Sequence, residues 1–150
     1  MLKLKKLIPI TCIVLVVLNS NSAFAQSEGI IKYRKNVMKS TAGHMGAIVD
    51  ILKNNLPIKE HLVQHTRSLL QNSKMTIAIF PKGSGTGRTN AKKSIWENWS
   101  KFQNASQNFV KESTRLLEMA ESGDFKAFAK QVRNTGKSCG GCHRYFRKRD

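Results

Sequence analysis

The chain has 150 residues, and its 26 Lys and Arg outweigh 9 Asp and Glu to give a formal net charge of +17 at pH 7. That length suits one domain with a single core and leaves no room for a second domain. Such a charge invites nucleic acid, but no zinc-finger spacing or aromatic-basic RNA motif is present. An acidic redox protein or an anionic membrane surface is the better use of it, because complementary charge speeds encounter. A basic surface that is simply solvated fits equally well.

Lys3, Lys5 and Lys6 precede an apolar run from Leu7 to Leu18, and Ala23-Phe24-Ala25 supplies an A-x-A cleavage site. This is the pattern of a secretory signal. Residues 1–25 are therefore read as a signal peptide and residues 26–150 as the exported domain, which also takes the chain away from the genome. An apolar run of about 12 residues falls short of the roughly 20 needed to span a bilayer. Cys12 leaves with the signal, so two cysteines remain.

Segments of helical period follow, and nothing alternates at the strand period, so the fold class is all-α. The first segment, Glu28 to Asn54, places Ile31, Met38, Met45, Ile48 and Leu52 on one stripe with Thr41 between them. Pro57 interrupts, and a second segment runs from Ile58 to Ile79 with Leu62, Leu69 and Ile77 inward. Pro81 to Gly87 is too glycine-rich for a helix. It is no phosphate cradle either, having no strand before it and no Gly-Lys-Ser/Thr ending.

A third helix, Ala91 to Ser122 with an irregular turn near Ile95 and Trp96, carries Trp99, Phe102, Phe109, Leu116 and Ala120 along one stripe. Gly123 stops it, and Asp124 caps the next. The fourth helix, Phe125 to Arg147, aligns Phe128, Val132, Cys139, Cys142 and Phe146.

Near its end stands Cys139-Gly140-Gly141-Cys142-His143, the C-x-x-C-H pattern of covalent haem attachment in c-type cytochromes. Thiols at i and i+3 share a helix face, so both can add to one haem edge while His143 offers an imidazole to the iron. A zinc site would need about four ligands. A thioredoxin-like pair would need a βαβ setting, which the chain lacks.

In this arrangement the chain resembles the cytochrome c prime family, the class II c-type cytochromes. The resemblance rests on Tyr33-Arg34 with Met38 four residues later, Phe80-Pro81, Gly83-Ser84, Ile95-Trp96, Gly123-Asp124 and the block from Cys139 to Arg147. It implies an antiparallel four-helix bundle with one haem c, often a homodimer, in a bacterial periplasm. By the same resemblance His143 is the proximal ligand, Cys139 and Cys142 are the thioether pair, Arg147 lies near the proximal His, and Arg34 borders the haem near a propionate.

Function then turns on the sixth coordination position. The stretch Arg34 to Lys39 reproduces the Arg-x-x-x-Met-Lys arrangement of the low-spin members of the family, which implies Met38 as sixth ligand and a protein of electron transfer. A thioether opposite His raises the potential, which suits that role. Met38 on an inward stripe also reads as an ordinary core residue. The alternative function is a five-coordinate protein that binds nitric oxide or carbon monoxide. No His-Arg pair of the peroxidase kind faces the site, so no substrate turnover is expected.

Three histidines remain. His44 stands six residues after Met38, about 240° around a helix, and so faces elsewhere. His61 and His65, at i and i+4, could take up a metal, but polar histidines on an amphipathic helix read as surface residues.

Overall fold

The computed structural model describes residues 11–149, with side chains from residue 26 onward. Five helices follow in order: α1 (Thr11–Lys53), α2 (His61–Met75), α3 (Ser94–Glu97), α4 (Trp99–Ser122) and α5 (Phe125–Phe146). Residues 1–10 of the expected signal lie outside the described residues. Among the described residues no helix is long and apolar enough to cross a membrane.

The buried positions recur at helical spacing, which is why these segments become helices of one bundle. α1 buries Ile31, Arg34, Val37, Thr41, Ile48 and Ile51. Its partners bury Leu62, Thr66, Leu69 and Ser73 from α2, and Phe102, Ser106, Phe109, Ser113 and Leu116 from α4. Ile48, Ile51, Leu62, Leu69, Phe109, Leu116, Phe128 and Val132 join in one cluster. Each such aliphatic or aromatic side chain contributes about 1.5–3 kcal/mol on burial. Two threonine hydroxyls inside the bundle are absorbed by their own helices: Thr66 Oγ1 donates to the Leu62 carbonyl and Thr135 Oγ1 to the Gln131 carbonyl, so neither leaves an orphan.

α1 packs on α2, α2 on α4 and α4 on α5, whereas the backbones of α1 and α5 approach one another little. Ile48 and Ile51 of α1 nonetheless share the main core with Phe128 and Val132 of α5. Gly136 of α5 lies close enough to the Met45 methyl that an added Cβ would sit 3.7 Å from it.

The helix ends follow local chemistry. Asn55, at φ 47, ends α1 in a Schellman turn: the Leu56 amide donates to the Ile51 carbonyl at 3.0 Å and the Asn55 amide to the Leu52 carbonyl at 3.4 Å. Gly123, at φ 73, ends α4 in the left-handed region. Asp124 caps α5 as its side chain accepts from the Ala127 amide at 2.9 Å. The expected third helix is in fact two, because Asn98 at φ −125, ψ 49 breaks the path between α3 and α4. Residues 91–93 are not helical at all. They are spent on holding the end of α5, where Ala91 bridges Arg147 and the Lys92 amide donates to the Phe146 carbonyl at 2.9 Å.

Candidate haem site

α5 carries Cys139, Cys142 and His143 in its last two turns. The cysteines face inward and are half-buried, while Gly140, Gly141 and His143 are exposed. Carbonyls that the helix end leaves without partners are met by the segment before α4: Ser94 Oγ donates to the Tyr145 carbonyl, Lys92 Nζ to the Arg144 carbonyl and the Lys92 amide to the Phe146 carbonyl, while the Lys148 amide donates back to the Asn90 carbonyl. The segment bearing the motif is thereby fixed.

Both thiols are free. Burial pushes each upward, and burial together with the neighbouring Cys139 takes Cys142 to about 11. Both are therefore S–H groups at neutral pH, not the thiolates that bind metal or exchange disulfides. Among the described residues no group of three or more His, Cys, Asp or Glu gathers to hold a metal ion, so the pair is not half of a zinc cage. Desolvation, then the charge of Arg147, hold the His143 imidazole below its ordinary range. That favours the neutral ring, which is the ligating form.

Cys139 packs against the main core, and Cys142 against a second cluster of Val37, Ile79, Phe80, Ile95, Phe102 and Phe146. Met38 of α1 packs against that same second cluster, as do Trp96 and Trp99. Phe102 meets Phe80 edge-on at 4.8 Å between centroids and Phe146 at 5.4 Å. An apolar, aromatic shell thus connects the motif on α5 to Met38 on α1. Two thiols on one helix face, a neutral imidazole beside them and this shell fit a covalently held haem.

Two cavities open beside the motif. A groove of about 860 Å³ runs between α4 and α5 and touches Cys142 and Phe146, but polar residues such as Asn98, Lys101, Asn108 and Glu112 line much of it. Another, of about 470 Å³, brings His143 together with Arg144, Arg147, Lys148 and Arg149. Neither reaches Met38. Arg147 is exposed at the C-cap of α5, and its charge bears on His143.

Arg34 has a role that the sequence did not disclose. Only 4% exposed, it donates from Nη1 to the Ile79 carbonyl and Ser84 Oγ, and from Nη2 to the Ser84 carbonyl and Thr89 Oγ1. Its guanidinium also lies 4.5 Å from the Phe80 ring centroid. It binds the glycine-rich loop to α1 one turn before Met38, and burial lowers its pKa. Only the paired polar residues of the loop, Ser84 and Thr89, could have signalled this.

Residues 29–147 match the model of the family described as Cytochrome C'. Cytochrome c' of Rhodospirillum rubrum is 30% identical over 124 residues, covering 82% of this chain and 84% of the relative. Among solved structures, cytochrome c prime from Shewanella frigidimarina superposes with a TM-score of 0.77 at 27% identity, over 82% of this chain and 97% of that one. The nitric oxide complex of a variant of cytochrome c prime from Alcaligenes xylosoxidans gives 0.77 at 26% identity, over 83% and 97%.

Bundle and motif together define a class II c-type cytochrome, one that carries its C-x-x-C-H on the last helix. The chain belongs to the cytochrome c' family. Its cofactor is haem c, covalently bound.

Proposed function

We propose that this chain is a periplasmic haem protein that takes up a small gas, nitric oxide or carbon monoxide, on the iron face opposite His143. Cys139 and Cys142 carry the thioethers. Each thiol would hold the group by adding its S–H across a vinyl double bond, a step that needs no oxidant. When bound, haem c would supply an iron able to take a protein ligand and a small exogenous one. His143, as a neutral imidazole, would be the protein ligand.

The observation that carries the proposal is the apolar character of the shell shared by Cys142 and α1, where Val37 is buried among Phe80, Phe102 and Phe146. Such a lining favours a small, weakly polar ligand over water. Family membership and the nitric oxide complex of the Alcaligenes protein support it. Arg34 and Arg147 serve as surroundings, one holding the loop beside α1 and the other beside His143.

A second reading, electron transfer with Met38 as sixth ligand, draws on the packing of Met38 against the cluster that holds Cys142. Under either reading residues 1–25 are removed on export, and the basic surface meets an acidic protein or an anionic membrane. Optical spectra of the holoprotein discriminate. Gas binding predicts a high-spin ferrous form that takes up carbon monoxide and nitric oxide promptly. A low-spin spectrum with the far-red ferric band of thioether ligation, and no carbon monoxide uptake, would overturn it in favour of electron transfer.

A further inference from the structure

His44 of α1 and His65 of α2 meet away from the haem motif, with their Nδ1 atoms 3.1 Å apart and ring centroids at 5.4 Å. We infer that this pair is a chelating site for a divalent transition-metal ion, copper(II) in preference to zinc(II), bridging the first two helices.

The spacing is that of a chelate. Metal–imidazole bonds run about 2.0–2.1 Å, so two nitrogens 3.1 Å apart subtend about 95–100° at a shared ion. That angle lies between the square-planar and tetrahedral values and is open to both copper and zinc. Imidazole suits both metals, and for a given nitrogen site copper(II) binds more tightly.

The pair is held by rigid elements. Ile48 and Ile51 of α1 pack with Leu62 and Leu69 of α2 in the main core, so the two backbones cannot drift apart without opening it. Neither ring is fully exposed, and their Nδ1 atoms already stand within hydrogen-bond distance of each other.

Binding needs little rearrangement. With both rings neutral, one Nδ1 carries the bridging hydrogen and the other accepts it. The ion takes both Nδ1 atoms once that hydrogen moves to Nε2 of its own ring, with no net release of protons. Burial and the neighbouring His44 and His61 hold the His65 pKa down, which keeps its ring in the neutral form that ligates. Among the described residues no third ligand is gathered with the pair, so solvent completes the coordination. His61, exposed and 3.9 Å from Glu60, stands outside the chelate.

The holoprotein, stripped with chelator, is titrated with copper(II) and separately with zinc(II) by calorimetry. One equivalent of copper is expected, tighter than zinc. His44→Gln and His65→Gln should each weaken copper by at least about tenfold, the scale of loss on disturbing a metal site. His61→Gln should stay within about threefold of the parent. Unchanged haem spectra and far-UV circular dichroism certify that the variants fold. Parent-like copper affinity in His44→Gln overturns the site. So does a loss in His61→Gln equal to that in His65→Gln, because the ion would then sit on the i, i+4 pair of α2 alone. As a second measurement, saturating zinc should raise the thermal midpoint of the parent by mass action on the folded state, and the lack of any shift also overturns the proposal.

Discussion

Arg34 grips Ser84 at two points: Nη1 donates to the hydroxyl oxygen and Nη2 to the carbonyl oxygen, each at 3.0 Å. With Ile79 and Thr89 also accepting from it, the guanidinium replaces the backbone ladder that the irregular loop lacks. Arg34→Met should therefore leave the Ile79 and Ser84 carbonyls without this donor, while Ser84 Oγ and Thr89 Oγ1 keep Pro81 and Ala91 as partners. A buried unsatisfied group costs about 1–3 kcal/mol, and partial rehydration leaves an expected net loss of about 3 kcal/mol. Urea unfolding of the holoprotein measures it. A loss below about 0.5 kcal/mol would mean that the loop holds itself.

How far the sequence discloses the protein can be judged from such residues. The stripes through Ile48, Leu69, Phe102, Leu116 and Phe128 are readable because a 3.6-residue period is local, and Gly123-Asp124 because caps are local too. Cys139 to His143 names its cofactor by spacing alone. Arg34 and the His44–His65 pair are not readable in this way. Each depends on partners 21 to 55 residues distant that only packing brings near. A basic residue before an apolar stripe, or a His on a polar face, looks solvated until the neighbouring segment is placed. Asn98 escaped for a related reason: the break before α4 serves the fastening of α5 and has no strong local breaker.

Trp96 offers a sharper steric test. Its indole Nε1 donates to the Phe80 and Pro81 carbonyls at 3.1 and 3.0 Å, and a Cβ added to Gly85 would stand 2.7 Å from its Cζ3 atom. The ring is anchored and cannot swing away without breaking those bonds. Gly85→Ala should cost about 1–3 kcal/mol, the range for overpacking. Chemical denaturation gives the value, and tryptophan fluorescence should shift with it. An Ala variant as stable as the parent would show the loop able to move aside.

His65 gives the pH dependence a sign. Desolvation first, then Coulombic repulsion from His44 and His61, lower its folded pKa below the ordinary 6.5. The unfolded chain then binds its proton more readily, so stability rises with pH in that range. The contribution is whole above about pH 6.5 and is lost as pH falls through the lower folded value. With chelator present, the urea midpoint should drop from pH 7 toward pH 5. His65→Gln should flatten that drop, and an identical slope in the variant would assign it to other groups.

Ser113 lies fully buried on α4, and its Oγ has no hydrogen-bond partner among the described residues. Its neighbours in the bundle satisfy their hydroxyls internally, so this one bears an uncompensated desolvation. Ser113→Ala should stabilise the bundle by about 0.5–1 kcal/mol, part of the 1–3 kcal/mol that an unpaired buried group costs. Thermal unfolding of the holoprotein reads the change. Destabilisation would reveal a partner for the hydroxyl in solution.

Met38 separates the two functional readings most directly. Met and Leu are close in volume, so Met38→Leu should cost less than about 1.5 kcal/mol in packing while removing the only group on that residue able to bind iron. Gas binding predicts that parent and variant share a high-spin spectrum and take up carbon monoxide with affinities within about tenfold, the lower end of the range for a one-group change in an apolar pocket. Electron transfer predicts a different pair of results. The parent would be low-spin and refractory to carbon monoxide, the variant high-spin and receptive, and the reduction potential would fall with loss of the soft ligand. Absorbance, carbon monoxide titration and a potentiometric titration on both proteins decide it, and a parent low-spin spectrum abolished by Met38→Leu would sink the gas-binding proposal.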